Sequence, residues 1–134
     1  MTLFFNKMER GKPGDPLSEK KWYLILKSLG LVRTKQVARL LADETTLDPK
    51  EAEVALSLAG KITGRLLADG HTVELEGLGT FHVRANSTPS DTKEEVTAHN
   101  LKGLKIRFIP AAELMDVVNK ASLRPASSIA NDAE

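Results

Sequence analysis

The spacing of apolar residues separates strand-like from helix-like stretches along the chain. Residues 3–8 begin with three apolar residues and residues 22–26 form a second apolar run, and they predict two strands that pair with each other. A short amphipathic helix is the alternative for the second run, because leucine is common in both structures. Two glycines and two prolines predict a loop over residues 11–18, between the two runs.

Two stretches of helical spacing follow. The first predicts a helix over residues 34–45, with the threonine at its start as the N-cap. The second has a stronger start signal, since Asp48 is an N-cap type, Pro49 suits the first helical position and Glu51 is a capping-box partner. Gly70 is predicted to end this helix, because glycine readily adopts the left-handed conformation that follows a C-cap.

The second helix has an apolar face that is broad for so small a chain. Such a face predicts burial on more than one side of the helix. Gly60 and Gly64 lie four residues apart and would let a second helix approach closely, although two tolerated glycines are the alternative. The apolar residues are Ala52, Ala55, Leu56, Leu58, Ala59, Ile62, Leu66 and Leu67.

A glycine turn at residues 75–81, in letters LEGLGTF, predicts the hairpin around which the rest of the chain is organised. Gly77 and Gly79 allow a sharp reversal between two short strands, the second of which ends near residue 85. Alternation returns at residues 102–109 and predicts a third strand.

Beyond the hairpin, the pattern predicts an irregular excursion, a helix and a tail. Residues 86–101 lack alternation, and Asp91 or Thr92 could cap a single helical turn there. The proline that ends the third strand suits the first turn of a helix over about residues 111–121. Residues 124–134 are polar, small and acidic, and we expect them to be disordered.

The composition narrows the possible chemistry. The 134 residues include no cysteine, which excludes disulfides, zinc thiolates and a cysteine nucleophile. No apolar run approaches the roughly 18 residues of a membrane helix. The histidines His71, His82 and His99 have none of the usual zinc spacings, and the glycine turn lacks the third glycine of a phosphate loop. We expect a soluble, cytoplasmic protein that is not an enzyme and has no metal, cofactor or small-molecule substrate.

The net charge is only +1, but its distribution is uneven. Residues 1–27 carry six Lys/Arg against three Asp/Glu, and residues 77–110 carry five against three, so cations gather where strands are predicted. The polar sides of the last two predicted strands hold His82, Arg84, Lys105 and Arg107. Taken alone, this pattern favours an ordinary solvated sheet face.

Three pieces of the sequence, taken in order, resemble the HU/IHF-like family of bacterial DNA-binding proteins. They are the helix start at 48–56 (DPKEAEVAL), the glycine turn and strand at 76–83 (EGLGTFHV), and the strand end at 106–110 (IRFIP) before the last helix. The resemblance covers about residues 34–121. The strand-rich extension and the short excursion look like a variant HU group found in Bacteroides-type bacteria.

The resemblance implies an α+β fold and an intertwined homodimer. The HU-like domain, over residues 31–123, would contain a two-helix N-terminal hairpin, a three-stranded antiparallel sheet with a shortened arm, and a C-terminal helix. A strand-rich extension over residues 1–30 would precede it, and a disordered tail over residues 124–134 would follow. The paired sheets would form a saddle that receives double-stranded DNA, in a nucleoid-associated protein that condenses DNA.

The implied site residues fall into three groups. The first two groups are cations that would contact DNA phosphates. Each such contact would release condensed counterions and so add affinity without reading sequence. The DNA-binding group on the sheet is His82, Arg84, Lys102, Lys105 and Arg107. A candidate DNA-binding group in the extension, for which a solvated loop is the alternative, is Lys7, Arg10, Lys12, Lys20 and Lys21. The dimer interface is Ala52, Ala55, Leu56, Ala59, Ile62, Leu66, Phe81 and Phe108.

The sequence also departs from the family pattern. Members that bend DNA carry a long basic arm tipped by Arg-Asn-Pro, whose proline wedges into the minor groove. Here residues 86–101 hold one lysine against Asp91, Glu94 and Glu95, and Pro89 is not preceded by Arg-Asn. We therefore expect shallow docking on DNA. The alternative is an HU-fold module for protein–protein assembly, with weak or no DNA binding.

Overall fold

The structure is a computed structural model that describes residues 1–129, and it divides into two compact units. Of the described residues, one unit is residues 1–31 together with residues 117–129, and the other is residues 32–116. In the described residues the helices and strands are, in chain order, β1 (Thr2–Arg10), β2 (Lys21–Lys27), α1 (Thr34–Asp43), α2 (Pro49–Ala68), β3 (Val73–Leu75), β4 (Gly79–Ser87), β5 (Leu101–Pro110), α3 (Ala112–Asn119) and β6 (Ser122–Pro125).

The first unit contains a three-stranded sheet with the strand order β2-β1-β6. β1 and β2 are antiparallel, and their register runs from Phe4 opposite Lys27 to Arg10 opposite Lys21. β6 is parallel to β1 on its other edge. The predicted pair of strands is therefore confirmed, and the helical alternative for residues 22–26 is excluded.

The start of the predicted disordered tail is corrected by β6. Ser122–Pro125 pairs with β1, and Ala126–Ser128 forms a 3-10 turn in which the Ser128 hydroxyl donates to the Pro125 carbonyl oxygen at 2.7 Å. A strand this short has no periodic pattern of its own, and it forms because β1 offers an unpaired edge to its backbone groups. Residues 130–134 of the predicted tail lie outside the described residues.

In the second unit α1 packs against α2. The predicted N-cap of α1 is wrong by one position, because Thr34 is already helical and Arg33 is the N-cap residue. The Arg33 N–H donates to Gln36 Oε1 at 3.0 Å. This bond is the reciprocal half of a capping box, whereas the threonine hydroxyl was expected to accept from an N–H in the first turn of the helix.

Both predicted ends of α2 are confirmed. At the start, the Glu51 N–H donates to Asp48 Oδ1 at 2.9 Å. At the end, Gly70 has a φ of +90°, and its N–H donates to the Leu67 carbonyl oxygen at 3.1 Å. The following N–H donates to the Leu66 carbonyl oxygen at 3.0 Å. These two bonds form a Schellman motif, which explains why the helix ends where glycine stands.

Few apolar side chains are buried within one copy of the chain. In residues 1–129 the buried apolar residues are Ala38, Ala52 and Leu67, all on the two long helices. Ile62, on the predicted apolar face of α2, is 45% exposed. One copy therefore leaves much of the apolar face of α2 in contact with water.

The second unit also contains a three-stranded antiparallel sheet with the order β3-β4-β5. The predicted hairpin is confirmed, with the Leu78 N–H donating to the Leu75 carbonyl oxygen at 3.0 Å across the turn. Gly77 and Gly79 have φ values of +77° and +154°, which favour glycine. β4 continues to Ser87, further than predicted.

Candidate nucleic-acid interface

Four of the predicted site residues form two cross-strand pairs on β4 and β5. His82 lies directly opposite Arg107, and Arg84 lies directly opposite Lys105. Because side chains alternate along a strand, both pairs lie on one face, about 7 Å apart. We call the surface formed by His82, Arg84, Lys105 and Arg107 the cationic face. The sequence predicted which side of each strand is polar, and the register shows that the two polar sides coincide.

The opposite face of β4 and β5 is apolar. Phe81 lies opposite Phe108, with ring centroids 4.9 Å apart and ring planes tilted by 40°. Val83 lies opposite Ile106, which is 65% exposed. The phenylalanine pair helps to fix the register, because a slip of one residue would move one ring to the cationic face.

The cationic face contains like charges that are held close together. Arg84 and Lys105 lie directly opposite each other, and like charges in this arrangement destabilise a sheet. Neither side chain forms an ion pair within residues 1–129. Glu74, on β3, is the only carboxylate in the three strands of this sheet, and it lies opposite Thr80 on this same face, beside His82 and away from Arg84 and Lys105. A bound phosphate would relieve the repulsion, so the face has the chemistry of an anion-binding surface.

Lys102 does not join the two pairs. The register passes from Asn86 opposite Gly103 to Ser87 opposite Leu101, so Lys102 is the extra residue of a β-bulge. It has no directly opposite partner on β4. Its inclusion in the DNA-binding group stays a prediction.

The family of the chain follows from a match over nearly its whole length. Residues 1–125 match the family model described as "HU domain fused to wHTH, Ig, or Glycine-rich motif", named HU-HIG. The chain belongs to the HU-HIG family. The predicted HU-like α+β domain is thereby confirmed, and the match includes the strands of the extension as well.

A solved structure shares the fold of this HU-HIG chain. It is the crystal structure of a candidate bacterial DNA-binding protein from Bacteroides vulgatus ATCC 8482, with a TM-score of 0.62 and 9% sequence identity. The superposition covers 93% of this chain and 47% of that protein, so the HU-HIG chain spans about half of its length. At this identity the likeness shows the fold alone. No functionally curated protein matches the sequence.

The excursion between β4 and β5 of the HU-HIG chain is closed at its base by Asn100. The Thr88 N–H donates to the Asn100 carbonyl oxygen at 2.8 Å, and Asn100 Nδ2 donates to the Thr88 carbonyl oxygen at 3.0 Å and to Ser90 Oγ at 2.9 Å. The single predicted helical turn is instead two 3-10 turns, Lys93–Glu95 and Ala98–Asn100. No motif signalled this closure, because asparagine and threonine are common in loops of every kind.

The predicted cations of the extension do not form one surface. Arg10 lies directly opposite Lys21, whereas Lys7 lies on the other face of the sheet. The remaining two are in the loop between β1 and β2. Tyr23 and Lys27, which were not among the predicted extension residues, share the face of Arg10. Their places in the alternation of β2 were the signal that could have found them.

The predicted dimer interface loses one residue. Ala52 is fully buried by its own chain and cannot contact a partner. The reason is that α2 turns one side towards α1, and a stripe of apolar residues does not reveal which side meets which neighbour. The other seven residues stay a prediction, and Ile62, Leu66 and Phe108 are each more than one-third exposed.

The three histidines of the HU-HIG chain lie on separate parts of the fold. His71 follows α2, His82 is on β4 and His99 is in the excursion. Across residues 1–129, no group of three or more His, Asp or Glu side chains could hold a metal ion. None of the described helices is long and apolar enough to cross a membrane.

Proposed function

We propose that this chain is an architectural protein that binds double-stranded DNA with low sequence specificity. Two copies would join as an intertwined homodimer, with a hairpin of two helices from each, and their sheets would form a saddle. The observation that carries the proposal is the cationic face, with its two cross-strand pairs and no carboxylate on β4 or β5. Such contacts release counterions and read no base edges, which gives affinity without specificity.

The exposed apolar surface supports the homodimer. Ile62 on α2 and Ile106 on β5 are both substantially exposed in one copy. The buried apolar side chains of the described residues are too few for a substantial core. A second copy would remove these surfaces from water, at about 25 cal/mol for each Å² of apolar area.

The excursion limits how deeply the DNA could dock. It is closed by Asn100 and carries Asp91, Glu94 and Glu95 on its exposed surface. We infer a shallow contact without a minor-groove wedge. On this proposal the chain is a Bacteroides-type HU variant with an N-terminal extension and a reduced arm, and it contributes to DNA condensation in the nucleoid.

The decisive test is the salt dependence of duplex binding by a variant that lacks two cations of the face. Arg84→Ala/Arg107→Ala should weaken binding at every salt concentration. The slope of log K against log salt should become less negative by roughly 1.8, because each lost phosphate contact removes about 0.9. Fluorescence anisotropy with a labelled duplex, at several salt concentrations, measures both quantities.

The matched control is Arg39→Ala/Arg65→Ala, which removes the same charge from α1 and α2. It should leave the slope unchanged, since these side chains are not on the sheet. If the two double variants have equal slopes, the cationic face is not the DNA contact. Binding would then depend only on the net charge of the protein.

Protein–protein assembly remains the second candidate function. The carboxylates of the excursion favour it, because they would repel a duplex that approached closely. On this reading the dimer forms, but no duplex binding is detectable even in dilute salt. Light scattering and anisotropy on the same sample separate the two functions.

A further inference from the structure

The face of the first sheet that carries Tyr23 combines an exposed aromatic ring with cations. Tyr23 is 50% exposed and lies directly opposite Met8. Arg10 Nε donates to Met8 Sδ at 3.4 Å, so the guanidinium lies over the residue that faces the tyrosine. Lys21 lies opposite Arg10, and Lys27 lies on the same face further along β2. We call this surface, formed by Arg10, Lys21, Tyr23 and Lys27, the Tyr23 face.

Spacing along β2 places cations on both sides of the ring. Lys21 and Lys27 are two and four residues from Tyr23, which corresponds to about 7 Å and about 14 Å along the strand. Arg10 is the diagonal neighbour of Tyr23, at a distance that long side chains can bridge. The paired residues of β1 and β2 contribute no carboxylate to this face.

The loop between β1 and β2 adds a wall at one end of the Tyr23 face. A cleft of about 430 Å³ is lined by Arg10, Lys12, Asp15, Ser18, Glu19, Lys21 and Tyr23. The loop is held by hydrogen bonds from the Lys12 N–H to Ser18 Oγ at 2.6 Å and from the Leu17 N–H to Asp15 Oδ1 at 3.0 Å. The cleft lining thus holds three cations, Arg10, Lys12 and Lys21, against the two carboxylates Asp15 and Glu19, and Asp15 also accepts a hydrogen bond within the loop.

The other face of the same sheet has different chemistry. Trp22 is more exposed than Tyr23, but Glu9 lies directly opposite it. The neighbours of Trp22 on that face include Leu24 and Leu26, with Lys7 as the cation among the paired residues. The Glu9 carboxylate beside the indole ring would repel phosphate. Trp22 has the larger ring for stacking, but its face is therefore less favourable for binding nucleic acid.

We propose that the Tyr23 face binds single-stranded DNA, with an unpaired base stacked on Tyr23 and phosphates on Arg10, Lys21 and Lys27. Exposed aromatic rings flanked by cations are the general means by which proteins hold single strands without reading sequence. This site is on the first sheet, whereas the cationic face is on the sheet of β4 and β5. The choice of DNA over other polyanions rests on the function proposed for that face.

The test is the binding of the full chain to a labelled oligo-dT and to a labelled duplex of the same length. Tyr23→Ala should weaken oligo-dT binding by roughly five- to 150-fold, which is the range for loss of one stacked base. Tyr23→Phe keeps a stacking ring and should bind within about twofold of the unaltered chain. Duplex affinity should be unchanged in both variants.

Trp22→Ala is the matched aromatic control, since it removes the adjacent ring from the opposite face of the same strand. It should leave oligo-dT binding unchanged. Arg10→Ala and Lys21→Ala should each make the salt slope for oligo-dT less negative by about 0.7, whereas Lys7→Ala should not change it. Circular dichroism would reveal whether Tyr23→Ala unfolds the sheet. If it does, Arg10→Ala and Lys21→Ala still test the proposal.

Three results would overturn the proposal: no oligo-dT binding by the unaltered chain, equal losses in Tyr23→Ala and Trp22→Ala, or equal effects of Arg10→Ala and Lys7→Ala. The duplex measurements distinguish this failure from failure of the proposed function. If Arg84→Ala/Arg107→Ala weakens duplex binding while Tyr23→Ala leaves oligo-dT binding intact, the cationic face stands and the Tyr23 face does not.

Discussion

Gly79 stands where the hairpin turn meets the end of β5, directly opposite Pro110. Its φ of +154° favours glycine, and a Cβ at this position would lie 2.6 Å from the Phe108 ring and would overlap the Ile109 carbonyl oxygen. The sequence indicated that a glycine was needed for the turn. The close approach of β5, which makes glycine necessary for a second reason, is a property of the folded sheet.

Gly79→Ala should destabilise the protein by about 2–4 kcal/mol, because backbone strain and overlap with β5 act together. Thermal unfolding followed by circular dichroism measures the change. Gly103→Ala is the matched control on β5, where an added Cβ meets no atom within 4 Å and φ is not in the left-handed region. If Gly79→Ala is as stable as Gly103→Ala, β5 lies further from Gly79 than it does in this structure.

At the scale of elements, the excursion differs most from what its sequence indicated. Its residues have no periodicity, and the carboxylates and threonines could belong to any surface loop. Asn100 nevertheless joins its two ends, and Asn100 Oδ1 also accepts from the Thr97 N–H at 2.8 Å. A hydrogen-bonded base of this kind keeps the carboxylates of the excursion in a defined place.

Asn100→Ala should open the excursion without unfolding β4 and β5. The variant loses four side-chain hydrogen bonds, two to Thr88 and one each to Ser90 and Thr97, each with a net value of about 0.5–1.5 kcal/mol. Amide hydrogen exchange should become faster over residues 88–100 and remain unchanged over residues 80–85. Asn86→Ala is the control, since within the described residues its side chain makes no hydrogen bond. Equal exchange in the two variants would mean that the bonds of Asn100 contribute nothing.

For the whole molecule, the central question is what covers the apolar surface of one copy. The broad face of α2 predicted burial on two sides, and α1 covers only one of them. The apolar side of β4 and β5 is also open to water. Exposed apolar surfaces of this kind mark interaction sites, which is why we propose a second copy as the partner.

Light scattering should give a mass of twice the 14.6 kDa of one chain. Ile62→Asp should lower this mass towards that of one chain, because an aspartate buried between two copies would lose its hydration. Leu17→Asp makes the same kind of change at a loop residue that is 94% exposed, and it should leave the mass unchanged. A dimer that survives Ile62→Asp would remove α2 from the proposed interface.

Local patterns by themselves determined a large part of this protein. The capping box of α2, its glycine end, the hairpin turn and the alternation of the strands were all predictable, because each depends on residues within a few positions of one another. The broad apolar face of α2 also indicated burial on more than one side of that helix. The family resemblance rested on the same local pieces.

The tertiary structure alone decided the relations between distant residues. The pairing of Arg84 with Lys105, the addition of β6 to β1 and the separation of Lys7 from Arg10 depend on register and on which edges are free. Backbone groups form hydrogen bonds with whichever strand the fold places beside them. The sequence of one strand does not specify which strand that is. For this reason the sequence predicted which residues are cationic, and the fold decided which of them act together.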